Sequence, residues 1–151
     1  MNTLDSMALN AETPTKVVLI NPATDTPIRD RSGKDAYLMM MSADSKVAQD
    51  HRRKATTKQL KKRDRTKTTA EEVEESNIEL LAALTTGWYL VNFDGEPVEY
   101  EFSVGNARAL YSRSDFTWIK EQADAGAGDR GNFMKAKSSQ NSGNGQTSNS
   151  L

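Results

Sequence analysis

The chain has 151 residues, 36% of them hydrophobic, with a mean hydropathy of −0.72 and a formal net charge of −1. That length accommodates one modest domain, and so low a hydrophobic content leaves part of the chain without a core to join. Without cysteine there are no disulfides or thiolate zinc sites. The longest apolar run is too short to cross a bilayer, and the opening residues lack the basic-then-apolar pattern of a secretory signal.

Residues 1–14 are polar and weakly patterned, which predicts a flexible arm. Lys16-Val-Val-Leu-Ile20 is a short β-branched run followed by an Asn21-Pro-Ala-Thr-Asp25 turn. A second extended run at 36–41, ending in Met39-Met40-Met41, completes a β-hairpin across a long connection, with the methionines as core filling. Two strands alone are marginal in water, so the hairpin must lie on something else.

Ser42, Asp44 and Ser45 offer N-caps for a helix running to about Arg63. Residues 46–67 hold ten Lys or Arg against Asp50 and Asp64, a formal +8. Thr68 and Thr69 precede Glu71 and Glu72, the pattern of a capping box. In the helix that follows, Val73, Leu80, Leu81, Leu84 and Trp88 fall into an apolar stripe at helical spacing. Residues 68–101 carry nine acidic groups and no Lys or Arg, a formal −9. The two helices are expected to pack antiparallel with their charged flanks matched, an arrangement that sets orientation more than stability.

Asp94-Gly95 signals a tight turn and Pro97 discourages helix there. Ser103 caps a helix at 104–111 that buries Val104, Ala107, Leu110 and Tyr111, and Asp115 caps the next. In that last helix Phe116, Ile119, Ala123 and Ala127 share a face, with Trp118 at its edge. Gly126, Gly128 and Gly131 weaken its later turns or let another chain approach closely. Beyond Lys137 the chain is uncharged and rich in Ser, Asn and Gly, so residues 137–151 read as a disordered tail. The domain therefore spans 15–136. Its predicted class is mainly α within α+β: a small helical domain with an N-terminal hairpin and disordered termini.

No catalytic, cofactor or metal constellation emerges. Gly126-Ala-Gly-Asp-Arg-Gly131 matches a dinucleotide fingerprint in letters, but a helical pattern precedes it where a strand is required. His51 is the only histidine and sits beside Arg52 and Arg53, so it reads as a surface residue. The basic run would suit phosphates, yet no aromatic interleaves it for base stacking, which places nucleic-acid binding second. The aromatics concentrated in 87–134 suit a protein partner. Trp88, Leu110, Tyr111, Phe116, Trp118, Ile119 and Phe133 are the candidate core or partner-binding residues.

The order of these motifs resembles the tail assembly chaperones of long-tailed bacteriophages. The resemblance rests on Asn21-Pro-Ala-Thr-Asp-Thr-Pro27, the basic helix, the Thr-Ala-Glu-Glu start, Gly87-Trp88 and Asp94-Gly-Glu-Pro97. It continues through Asn106-Ala-Arg-Ala-Leu-Tyr111, Trp118-Ile-Lys-Glu-Gln122 and Gly128-Asp-Arg-Gly-Asn-Phe133, and covers about 16–134. Gly131 departs from it, since related chains more often carry alanine there. The resemblance implies a non-enzymatic protein of the host cytoplasm, without cofactor, that binds the tape measure protein and helps recruit tail tube subunits. It also implies absence from the mature virion; self-association is compatible with it, and membrane association is not expected. In that picture the 104–134 helices supply an apolar groove and the charged 46–79 pair its rim. A nucleic-acid-binding accessory protein and a minor structural tail protein are the alternatives.

Overall fold

The computed structural model describes residues 4–61 and 69–134. The predicted tail at 137–151, the first basic-helix residues past Lys61 and Thr68 lie outside the described residues. The protein is α+β, with small antiparallel sheets and, among the described residues, four α-helices.

Strand β1 (Thr15–Val18) pairs antiparallel with β4 (Tyr37–Met40), as the β-branched run and the methionine run predict. Between them, β2 (Ile20–Asn21) and β3 (Thr26–Pro27) form a two-residue ribbon around the Asn21 turn. The support that two strands need comes partly from a third strand, β5 (Thr85–Tyr89), which pairs with the other edge of β4. This overturns the apolar helical stripe ending at Trp88. Helix α2 (Ala70–Leu84) stops at Leu84, because Thr85, Thr86 and Gly87 are poor helix formers and β4 has an unpaired edge to fill. The helix keeps its predicted start: Thr69 accepts from Glu72 N–H at 3.1 Å and the Glu72 carboxylate accepts from Thr69 N–H at 3.0 Å. Val73, assigned to the stripe, is 58% exposed.

Cross-strand register sorts the sheet's two faces. Val17, Leu38 and Trp88 line up on one, and Leu38 and Met40 there are fully buried against the helices. The opposite face carries Lys16 above Tyr37 and Tyr37 beside Tyr89, all partly in water.

Helix α1 (Lys46–Lys61) begins where Ser45 Oγ accepts from Ala48 N–H at 3.4 Å. Helix α3 (Val104–Ser112) is capped by Ser103, whose Oγ accepts from Asn106 N–H at 2.9 Å. Val104 is nonetheless 45% exposed, since it sits in the first turn, before the face that meets the core. Helix α4 (Thr117–Gly128) lacks the predicted Asp115 cap. A 3₁₀ turn (Ser114–Phe116) intervenes, and Asp115 instead makes a bidentate pair with Arg113 at 3.1 and 2.7 Å. That pair holds the Asp115 carboxyl below its ordinary range.

Helix α4 locks the N-terminal strands in place. The Gln122 carboxamide bonds both the N–H and the carbonyl of Ile20, at 2.8 Å each. A Cβ on Gly126 would lie 2.5 Å from a Val17 methyl, so glycine is what lets β1 reach the helix. The close approach anticipated for another chain is therefore made, at Gly126, by this chain's own strand. Residues expected to form a loose arm are tethered as well. Asn10 N–H donates to Phe133 carbonyl at 2.7 Å, and Glu12 accepts from Lys46 N–H at 2.9 Å. Arg130 pairs with Asp44 at 2.7 Å and ties the end of α4 to the approach to α1.

Candidate protein-interaction surface

The predicted partner-binding residues divide by burial. Leu110, Tyr111, Ile119 and Phe133 are at most 5% exposed and belong to the core. Tyr111 is held by its hydroxyl, 2.8 Å from Thr85 Oγ1, which in turn donates to Leu81 carbonyl at 2.7 Å. Burial pushes the Tyr111 phenol up to about 12. The apolar faces of α3 and α4 thus point inward, toward α2, the sheet and each other. The open groove expected from 104–134 is filled by the protein itself.

Trp88, Phe116 and Trp118 remain partly exposed. Trp88 occupies the edge strand β5, beyond which no strand lies among the described residues to cover the ring. Instead the chain folds back. Val91 bridges Pro97, Val98 N–H donates to Leu90 carbonyl at 2.8 Å, and Gly95 closes the turn with φ of 86°. The Asn92 side chain accepts from Asp94 and Glu96 N–H groups and fixes the tip. Continuing the Val91–Pro97 register sets Trp88 opposite Tyr100. The two rings stack at 5.6 Å, Phe102 meets the indole edge-on at 5.1 Å, and the indole N–H donates to Tyr100 carbonyl at 2.8 Å.

This fold-back leaves an open depression of about 370 Å³ beside the indole. Its walls are Trp88, Leu90, Val98, Tyr100 and Phe102, and Glu99 and Glu101 stand on its rim, both exposed. The same loop carries Phe93, 64% exposed, to 5.9 Å from Trp118. Phe116 lies under the Arg113 guanidinium at 4.6 Å. Rings held in fixed positions beside exposed carboxylates suit an apolar segment that also carries Lys or Arg.

Phe93, Tyr100, Phe102, Glu99 and Glu101 are surface residues that lie outside the partner-binding set expected from the sequence. The signal was present: Asp94-Gly95 centres a reversal, and counting outward from it brings Trp88 to Tyr100.

Elsewhere, Gly126 of the fingerprint-like run lies inside α4 with Val17 against it, an arrangement without a phosphate cradle. His51 is half-buried on α1. No group of three His, Asp or Glu able to hold a metal occurs among the described residues, nor is any described helix long and apolar enough to cross a membrane.

Fold and surface together describe a small α+β protein with a framed aromatic patch and an acidic rim. Set against protein-family models, curated proteins and solved structures, the chain matches none.

Proposed function

We propose that this chain is a binding protein, a tail assembly chaperone of a long-tailed bacteriophage. On this reading it acts in the host cytoplasm, holds the tape measure protein before the tail tube encloses it, helps recruit tube subunits, and is left out of the virion. The order of motifs from Asn21 to Phe133 supports the family. The observation that carries a polypeptide client is the set of half-open rings at Trp88, Phe93, Tyr100 and Trp118 beside the exposed Glu99 and Glu101. A helix-rich client exposes apolar stripes, and basic residues flanking such a stripe meet the rim carboxylates. The client surface is thus assigned to the 88–102 fold-back and its contact with Trp118, not to the buried faces of α3 and α4.

Co-expression with the tape measure protein tests this. The wild type keeps the client soluble and co-purifies with it, whereas Phe93→Asp loses at least about tenfold in affinity at an unchanged melting temperature. A tape measure that stays insoluble beside the wild type overturns the proposal.

A second reading has one observation in its favour. Arg52, Lys54, Lys58 and Lys61 are exposed and form no ion pair among the described residues, which leaves them available to phosphates. A gel shift that tightens steeply at low salt would favour a nucleic-acid-binding accessory protein.

A further inference from the structure

The outer part of the α1–α2 hairpin is little covered by the other described residues. Ala48 of α1 and Ile78 to Leu84 of α2 reach the core, so the hairpin enters it by those ends. Past them, every side chain described in 52–61 is exposed, and in 70–76 only Glu72 is partly covered. Leu60 and Val73 are each 58% exposed. Helical turns with water on all sides gain little from packing and are marginal by themselves.

The charges on these two limbs are opposite. Helix α1 carries six cations against Asp50, a formal +5, and α2 carries five glutamates and no cation, a formal −5. Among the described residues no ion pair joins the two helices, where the sequence predicts matched flanks. Glu74 pairs with Lys120 of α4 at 2.6 Å, Glu79 with Arg108 of α3 at 2.7 Å, and Arg53 with Asp50 of its own helix at 2.8 Å. Among the described residues, Lys54, Lys58 and Lys61 on one side, and Glu71 and Glu75 on the other, are left without an ion pair. Lys54, Lys58 and Lys61 share one face of α1 by their spacing, as Glu71 and Glu75 share one face of α2.

We propose that the cover is a second copy of this chain. A two-fold axis sets the basic limb of each copy against the acidic limb of the other, makes a four-helix contact and buries Leu60 and Val73. A surface carrying both signs side by side is self-complementary under such an operation. A polyanion, by contrast, would meet the glutamates of α2 as soon as it reached the lysines of α1. The proposal does not depend on the identity of any client.

Sedimentation equilibrium of the full chain tests it. The wild type is dimeric at micromolar concentration. Raising salt from about 0.1 M to about 1 M cuts the Debye length from about 10 to about 3 Å and weakens the dimer at least about tenfold. Glu71→Lys/Glu75→Lys and Lys54→Glu/Lys58→Glu are each monomeric alone, with the helical circular dichroism of the wild type. Mixed in equal amounts they recover a dimer, because both contacts are then again of opposite sign. A wild type that is monomeric at low salt, or a dimer indifferent to salt and to both variants, overturns the proposal. So does a monomer that binds a DNA fragment and loses it with Lys54→Glu/Lys58→Glu. Should a variant lose its helical signal, the salt series on the wild type decides alone.

Discussion

The two ends of α2 form the same helix in opposite surroundings. From Ile78 onward its inward side chains are buried, and Thr85 just beyond bonds Tyr111 in the core. Before Ser76 its side chains stand largely in water, and apart from the Glu74–Lys120 pair what holds the helix is local: a reciprocal Thr69–Glu72 cap and glutamates near the positive end of the dipole. Helix formation is thus settled by short-range chemistry along the whole element. Where the helix sits is settled only by the half with Leu and Ile to bury. The core half is fixed by what it packs against, and the outer half is free to take a partner.

The sharpest way to break the core half is at Tyr111. Tyr111→Ala removes a ring that is 1% exposed and should destabilise the protein by roughly 3–5 kcal/mol in urea denaturation. Tyr111→Phe keeps the ring and loses the hydroxyl bond to Thr85, at about 1 kcal/mol. The two variants also differ from the wild type in pH dependence. The phenol is raised from 10.0 to about 12 in the folded protein, so the neutral form is favoured there. Its contribution is complete below the unfolded value and is lost as pH rises through the folded one. Wild-type stability should therefore fall by about 2–3 kcal/mol more than that of Tyr111→Phe across this alkaline window. Parallel profiles for the two proteins would show that burial does not hold this proton.

The junction between α4 and the sheet gives the next effect. Gly126→Ala places a methyl 2.5 Å from Val17, a stiff β-branched neighbour with no long side chain to swing aside. Destabilisation of about 1–3 kcal/mol is expected. Val17→Ala in the same chain makes room and should recover part of that loss, which a change in helix propensity alone would not allow. Alanine is a better helix former than glycine, so propensity predicts the opposite sign.

Much of this fold was legible in the sequence, and what was not has a common cause. The hairpin of β1 with β4, the Thr69 capping box and the Ser103 cap are local patterns, and each is where its residues put it. The failures involve partners distant in sequence. Trp88 fits a helical stripe by spacing, but the open edge of β4 draws 85–89 into a strand. Asp115 has the chemistry of a cap and gives it up to the arginine two residues earlier. Leu110, Tyr111, Ile119 and Phe133 were rightly read as apolar anchors, but spacing cannot say whether an apolar face meets its own sheet or a stranger's helix. The charge blocks also meet distant partners. Their adjacency along the chain suggests matched flanks, whereas the ion pairs that α2 makes among the described residues go to α3 and α4.

The outer half of α2 provides the smallest effect and separates the two regions most cleanly. Thr69→Ala removes the acceptor for Glu72 N–H and leaves only the bond from the residue 69 N–H to the Glu72 carboxylate, a loss of about 1 kcal/mol in the helix itself. If the two halves of α2 are as distinct as their burial implies, that loss is felt where the turns open locally, without unfolding the core. Amide exchange should then accelerate about fivefold over 70–76, with little change at Leu81 or Leu84 and a shift in the global transition of less than about 0.5 kcal/mol. Equal acceleration along the whole helix would mean that α2 opens as one unit. The outer turns would then be as much part of the core's cooperative structure as the leucines are, and their exposure would give no reason to expect a partner there.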